Sequence, residues 1–161
     1  MTILTDTEIK KRMTDKELIL NGNKSLVGSA CYELRMGNIY YDLTEDDRRF
    51  DANSNGTILV KPGHRVVLIT KEQLKIPNNI VARITSKGSL FSIGLSPVST
   101  YADPGFSGNL GIVTQNFSDK YIDLPIGEPI AKVDFSLLST ATETRFPNQN
   151  LASQKTIAKD I

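Results

Sequence analysis

Apolar residues in this chain recur with a period of two far more often than with the period of a helix. In 80–85, Ile80, Ala82 and Ile84 point one way while Val81, Arg83 and Thr85 point the other. In 129–135, Ala131, Val133 and Phe135 alternate in the same way with Ile130, Lys132 and Asp134. Such alternation buries one face of a β-strand and leaves the other to solvent. It predicts strands over 17–20, 31–36, 39–43, 57–60, 65–70, 80–85, 95–99, 109–115, 121–124 and 129–135. Turn formers separate them: Asn55-Gly56, Pro62-Gly63, Pro77-Asn78-Asn79, Pro104-Gly105, Gly108 and Pro125. Many short strands with few helical windows predict an all-β protein built as a sandwich, jelly roll or barrel.

One short helix is expected over 6–13. Thr5-Asp6-Thr7-Glu8 fits a capping box, Leu4 and Ile9 occupy the staple positions, and Lys10, Lys11 and Arg12 fall near the C-terminal end. The polar run 44–56 reads as a solvated loop. From 139 the chain turns polar, which divides it into a folded domain over 1–138 and a tail over 139–161. Such a tail is either disordered or docks as an arm on a neighbour.

The chain has 161 residues, the usual size of one domain. Nineteen basic against 18 acidic residues leave a formal charge of +1. That balance argues against an extended nucleic-acid surface and leaves room for a local basic pocket. There is one cysteine (Cys31) and one histidine (His64). Zinc sites built from Cys and His are thereby excluded, because they need three or four ligands. A Ser-His-Asp triad would have to use His64, and no G-x-S-x-G elbow supplies its serine. Chemistry must therefore run on carboxylates, hydroxyls, lysine or arginine, and backbone groups. His64 is expected to be exposed and uninvolved, and Cys31 to be a buried small hydrophobe. No run approaches the ~18 to 20 apolar residues of a membrane span, and the N-terminus lacks an apolar signal core. A soluble, cytoplasmic domain is expected.

The informative stretch runs from Ile80 to Phe135, and its centre is dense in small residues from Ser86 to Gly111, beginning Ser86-Lys87-Gly88-Ser89. Backbone N–H groups and hydroxyls clustered beside a lysine are what a phosphate cradle requires, although ordinary turns of a β protein have the same composition. Ser86 and Ser89 would donate hydroxyls to phosphate oxygens, and Lys87 a charge. Asp103, ahead of Pro104-Gly105, is either a turn former or a group that contacts sugar or activates water. Tyr101 would stack on a base or fill core, the core being favoured.

The order of these segments resembles the dCTP deaminase/dUTPase superfamily, most closely its dCTP deaminase branch. Ser29-Ala30-Cys31-Tyr32-Glu33-Leu34-Arg35-Met36-Gly37 is similar to the branch's S-x-Y-D-L-R-L-G element. Lys61-Pro62-Gly63 and Ile76-Pro77 stand at its H-P-G and L-P positions. Ser86 to Leu95 stands at G-R-S-S-L-A-R-L-G-L, and Asp103-Pro104-Gly105-Phe106-x-Gly108 matches D-P-G-F-x-G without a gap. Gly127-Glu128-Pro129-Ile130-Ala131 follows like G-M-x-I, and the resemblance covers about residues 3–138. It implies a distorted jelly roll with one short N-terminal helix, assembled as a homotrimer. Nucleotide sites would lie between subunits, with Mg²⁺ carried by the nucleotide phosphates and no zinc.

The departures fall on the chemistry. The proton-shuttling glutamate of the family's L-E-x-x-N strand is Val113 here. Gln115, two residues on and facing the same side, is an amide and no general base. The first serine of R-S-S-L is Gly88, the arginine of L-A-R-L-G is Ser92, and the leading arginine survives as Lys87, which loses the bidentate fork. Glu33 replaces the aspartate of the first element, and Lys132 the glutamine of a later G-x-x-I-x-Q. The resulting expectation is a nucleotide-binding homologue with reduced catalysis, contacting a pyrimidine deoxynucleotide through Ser86, Lys87, Gly88, Ser89, Asp103 and Gln115. The alternative is an active dUTP hydrolase or dCTP deaminase in which Asp103 is catalytic. A third reading keeps only the trimeric jelly roll as an interaction domain.

Overall fold

A computed structural model describes residues 2–144. In chain order the elements are β1 Thr2–Ile3, α1 Asp6–Thr14, β2 Leu18–Leu20, a 3₁₀ turn at Lys24–Leu26, β3 Tyr32–Asp42, β4 Arg48–Asp51, β5 Thr57–Val60 and β6 Arg65–Lys75. There follow β7 Ile80–Ser86, α2 Gly88–Ile93, β8 Leu95–Pro97, β9 Thr100–Ala102, β10 Ser107–Asn116, β11 Ile122–Pro125 and β12 Pro129–Leu137. The strands form one curled antiparallel sheet in the order β8-β10-β6-β3-β12-β7-β9, with β1 on β12, β2 on β6 and β4 on β3. β5 and β11 pair separately. This is the all-β jelly roll that the alternation and the resemblance predicted.

β3 shows how the sheet curls. Its first residues, Tyr32 to Arg35, pair with β12, and its later ones, Met36 to Asp42, pair with β6. The register shifts between Met36 and Tyr40. Gly37 sits in this bend, where a β-carbon would lie 2.8 Å from the Ile69 carbonyl oxygen, so only glycine lets β3 cross so close to β6. The sequence pattern predicts two strands here, 31–36 and 39–43, where the structure has one, Tyr32–Asp42. The backbone instead bends without breaking and carries pairing from one half of the sheet to the other.

The inward positions build one core in which Tyr32, Leu34, Ile58, Leu68, Ile80, Val133 and Phe135 are fully buried. Each large apolar side chain so buried stabilises by roughly 1.5–3 kcal/mol. Leu4 and Ile9 join that core from either side of the α1 N-terminus. The capping box itself is not made. Thr5 is the N-cap without a side-chain bond, and Glu8 turns outward to accept from Arg12 Nε at 3.2 Å. The run 44–56 is also more than a loop: Arg48–Asp51 adds an edge strand, its Phe50 stacked on Tyr40 at 5.0 Å between ring centroids. Three charged residues and one aromatic, without alternation, make this edge strand look like loop composition.

Part of the expected tail lies outside the described residues, which end at Thr144. Within them, the Thr142 backbone N–H donates to the Asn78 carbonyl at 2.9 Å. No helix of the described residues is long and apolar enough to cross a membrane.

Candidate functional site

The middle of the sheet presents a chemically mixed outer face. On β3, β12 and β7 the residues Tyr32, Val133 and Ile84 point into the core, so their neighbours Glu33, Lys132 and Thr85 point out. The register sets these three in one row, Lys132 lying opposite Glu33 on one side and opposite Thr85 on the other. The next row holds Arg83 and Asp134, which pair at 3.0 Å and neutralise each other. The 25–31 segment borders this face and makes of it a groove of about 590 Å³, lined by Ser29, Cys31, Glu33, Thr85, Lys132 and Arg83 among others. That volume falls in the range of small-molecule sites.

The predicted phosphate cradle stands at the edge of this groove. β7 ends at Ser86, Lys87 is the N-cap of α2, and Gly94 ends that helix with φ +107°. Only glycine fits there, because a β-carbon would also meet Ser118 Cβ at 2.7 Å. Ser86, Gly88 and Ser89 are exposed, and a β-carbon on Gly88 would meet nothing within 4 Å, so there is open space over the loop. Lys87 is not a free surface lysine. Its Nζ donates to Glu33 Oε1 at 2.7 Å, with 19% of the lysine and 29% of the glutamate side chain exposed. Ser86, Lys87, Gly88 and Ser89 are thus brought together beside Glu33 and Lys132, two residues that the sequence reading noted as replacements without placing them in the site. Alternation marks both as outward. That three strands distant in sequence lie side by side is a matter of sheet order.

Asp103 and Gln115 lie elsewhere in the protomer. β9 pairs with β7 so that Ala102 faces Ala82, which puts Asp103 level with Val81. Five strand residues separate that level from Ser86, or about 17 Å at the usual rise. The Asp103 carboxylate is exposed and has no hydrogen-bond partner among the described residues, while its backbone carbonyl accepts from Phe106 N–H at 3.0 Å. Gln115 is exposed on β10, opposite Arg65 and Ser96. Val113 shares its face and packs on Ile39, Tyr41, Val67 and Ile69, with Val67 directly across the ladder. Gly111 and Gln115 flank Val113 on its own strand face. No carboxylate occupies these neighbouring positions.

Three single-residue expectations are corrected. Tyr101 is not in the core: it is 61% exposed on β9, because it takes the outward position between inward Ala102 and the edge. Cys31 is half-buried rather than buried and lines the groove. His64 is far from uninvolved. Its Nδ1 shares a 2.8 Å hydrogen bond with Asp42 Oδ2, and Asp42 is 2% exposed. Asp42 Oδ1 accepts from the Thr44 and Glu45 backbone N–H groups at 3.0 Å. The ligand atoms of Asp42, Glu45 and His64 lie within 4.8 Å of one another, close enough to hold a cation. Lys61 already supplies one, with Nζ at 2.8 Å from Glu45 Oε2.

The other buried charge among the described residues is Glu72, fully inaccessible. Burial pushes its carboxyl above the ordinary value, against the pull of Arg35, whose backbone N–H and Nε donate to it at 3.0 and 3.1 Å. Beside it, Asn109 Nδ2 donates to the Thr70 carbonyl at 2.9 Å and Leu110 N–H to Thr70 Oγ1 at 3.0 Å. A second groove of about 350 Å³ opens over this bend, lined by Gly37, Asn38, Thr70, Lys71 and Asn109 among others. None of the residues expected to bind nucleotide lines it.

Comparison with known proteins agrees with this architecture. A curated dCTP deaminase (dUMP-forming) of Dictyoglomus turgidum is 26% identical over 164 aligned positions, covering 89% of this chain and 84% of the relative. The crystal structure of 2′-deoxycytidine 5′-triphosphate deaminase from Agrobacterium tumefaciens superposes with a TM-score of 0.71 at 15% identity, over 84% of this chain. This chain matches 47% of that one, about half its length. A dUTPase of a Staphylococcus aureus phage, phi11, whose structure concerns a structural Mg(II) ion, superposes with a TM-score of 0.53 at 16% identity, over 74% of this chain and 84% of its own. The two superpositions show the shared fold. The sequence profile of dCTP deaminase-like domains matches residues 3–138, nearly everything from β1 to the end of β12. The chain therefore belongs to the dCTP deaminase-like family.

Proposed function

We propose that this protein binds a pyrimidine deoxynucleotide at sites shared between protomers of a homotrimer, and that it does not deaminate dCTP by the family route. The observation that carries this reading is the contrast between its two halves. The expected cradle residues Ser86, Lys87, Gly88 and Ser89 follow directly on Thr85, which lines a groove of ligand size, and Lys87 reaches Glu33 in that groove. The position expected to carry the proton-shuttling glutamate is Val113, surrounded by Val67, Ile69 and Ile39. Losing a general acid–base costs roughly 10²–10⁴-fold in rate. Gly88 and Ser92 remove two further helpers, and Ser92 Oγ is spent on the Gly88 carbonyl at 3.1 Å.

Sharing between protomers is supported by distance and by surface. Asp103 and Lys87 stand too far apart in one chain to meet one ligand's sugar and phosphates unless a neighbour supplies one of them. Beside the cradle, α2 exposes Phe91 (62%) and Ile93 (49%), and Phe91 meets the half-exposed Phe117 at 4.9 Å between ring centroids. Clustered exposed aromatics mark a contact surface. In this assembly Lys87 and Lys132 hold polyphosphate, the serine hydroxyls orient it, and a neighbour's Asp103 reaches the sugar. The domain would span 1–138, with 139–161 as a tail or arm, and would work in the cytoplasm on nucleotide pools.

Mg²⁺ carried by the nucleotide phosphates asks for no protein ligand, and a protein-held Mg²⁺ does not fit the donors at the cradle. The nearby carboxylate, Glu33, is closed by the Lys87 ammonium at 2.7 Å, and Lys132 stands on its other side. No step is assigned to a protein-held metal.

A thermal-shift screen of deoxynucleotides, with product detection on the hits, tests the proposal. Stabilisation by dCTP or dUTP without ammonia or pyrophosphate release is the expected result. Sustained ammonia release from dCTP would overturn it. The second reading, dUTP hydrolysis, is favoured by the free carboxylate of Asp103. It requires that Asp103→Asn abolish pyrophosphate release, and equal hydrolysis by the variant removes it.

A further inference from the structure

We propose that Lys87 and Lys132 take the place of a divalent cation, so that polyphosphate binds this cradle without a metal ion. The inference rests on the nucleotide-binding reading above and concerns the charge that neutralises the phosphates there.

Two lysines and one glutamate meet on this face: Lys132 and Glu33 in the row across β12 and β3, and Lys87 just past the end of β7. Lys87 contacts Glu33 Oε1 at 2.7 Å, and Lys132 is the direct cross-strand neighbour of Glu33. Directly opposed β-carbons stand about 5 Å apart, within easy reach of both long side chains. Arg83 and Asp134 in the adjacent row cancel at 3.0 Å, so the two lysines leave the outer face with an uncompensated positive charge. Lys132 is exposed and has no ion pair among the described residues. The groove therefore attracts an anion before any metal arrives.

Mg²⁺ demands near-octahedral oxygen ligands and gives up its water reluctantly. For the protein itself to hold it, Glu33 would have to release a lysine already in contact, and beside two lysines the phosphates have less need of a metal they carry themselves. Phosphate asks for the opposite exchange. The Lys87–Glu33 pair is partly open to solvent, and such pairs hold weakly. Lys87 can leave the glutamate for a more highly charged phosphate, and Lys132, opposite Glu33, lies between the carboxylate and the incoming anion, within reach of both. Glu33 then acts as a resident counter-ion, holding Lys87 over the cradle until an anion displaces it.

Titration calorimetry with sodium tripolyphosphate, in excess EDTA and in excess MgCl₂, tests this on the full chain. Wild type is expected to bind in EDTA as tightly as in Mg²⁺. Lys87→Ala is expected to lose about tenfold in either buffer, the scale of one charge-assisted phosphate contact. Glu33→Gln is expected to bind more tightly in EDTA, because the competing carboxylate is gone. Lys132→Gln, at an exposed position, is expected to weaken binding with an unchanged melting temperature. Binding that requires Mg²⁺ and disappears in Glu33→Gln would overturn the inference and leave the nucleotide reading standing. Unchanged affinity in both lysine variants would also overturn it. Failure of tripolyphosphate, dCTP and dUTP to bind in either buffer would overturn both readings.

Discussion

Replacing Arg35 by methionine keeps the stem of the side chain and deletes the guanidinium that faces Glu72 through Nε at 3.1 Å. Glu72 is wholly buried and Arg35 is 17% exposed, so the variant strands a carboxylate that water cannot reach. Breaking a buried pair from one side costs about 3–5 kcal/mol. The Arg35 backbone N–H still donates to both carboxylate oxygens, at 3.0 and 3.2 Å, which places the expected loss near the lower end, about 3 kcal/mol. That is a large share of a typical total of roughly 5–15 kcal/mol. The pH dependence follows from the raised carboxyl. Between the unfolded value of 4.5 and the higher folded value, the folded state binds more protons than the unfolded one. This contribution to stability is therefore fully present below the unfolded value and is lost as pH rises through the folded one. Removing Arg35 raises the folded value further, so acidification should rescue the variant more than wild type. Each unit of added shift is worth about 1.4 kcal/mol. Urea denaturation at neutral and mildly acidic pH, at fixed protein concentration, measures it. Glu72→Gln, which removes the charge and keeps an acceptor, is expected to be milder than Arg35→Met at neutral pH. An Arg35→Met loss that is equal at both pH values, or smaller than that of Glu72→Gln, would refute the reasoning.

Other expectations follow from single contacts. Gly94→Ala must hold a left-handed residue, at about 1–2 kcal/mol, and also push Ser118 aside, so its melting temperature should fall clearly. An unchanged melting temperature would show that the α2 terminus rearranges freely. Asn116 is fully buried, with Nδ2 donating to the Val60 and Lys120 carbonyls and Oδ1 accepting from Ser118. Asn116→Ala strands the Val60 carbonyl and the Ser118 backbone N–H, while Ser118 Oγ still donates to the Lys120 carbonyl, and should cost about 2–4 kcal/mol in chemical denaturation, at roughly 1–3 kcal/mol per stranded group after partial rehydration. A loss below the cost of one such group would argue against a structural role. The double variant Phe91→Ser, Phe117→Ser removes an exposed aromatic contact and should shift sedimentation toward the monomer with the β-sheet spectrum intact. Unaltered assembly would move the protomer contact to another face.

Much of the fold is legible in the sequence because burial on one face of a strand imposes alternation. The alternating runs at 57–60, 80–85 and 129–135 are strands within a residue or two, and Gly56, Gly63 and Gly105 adopt the positive φ that their turns demand. α2 escapes that reading. Six residues in a Ser/Gly-rich run show no helical period, and the helix exists because β7 must hand over to β8 on the other side of the curl. β9 escapes for the opposite reason, since three residues that pair at an edge bury only Ala102.

The sequence by itself determined the alternation, the turns, the order of family segments and the absence of a carboxylate at Val113, because each is a property of neighbouring residues. Tertiary structure alone decided that Lys87 meets Glu33 across 54 positions, that His64 bonds the buried Asp42, and that Asp103 stands about 17 Å along the sheet from the cradle. Those facts depend on which strands lie side by side. Strand order is set by packing the whole sheet around one core, and no local pattern of side chains records it.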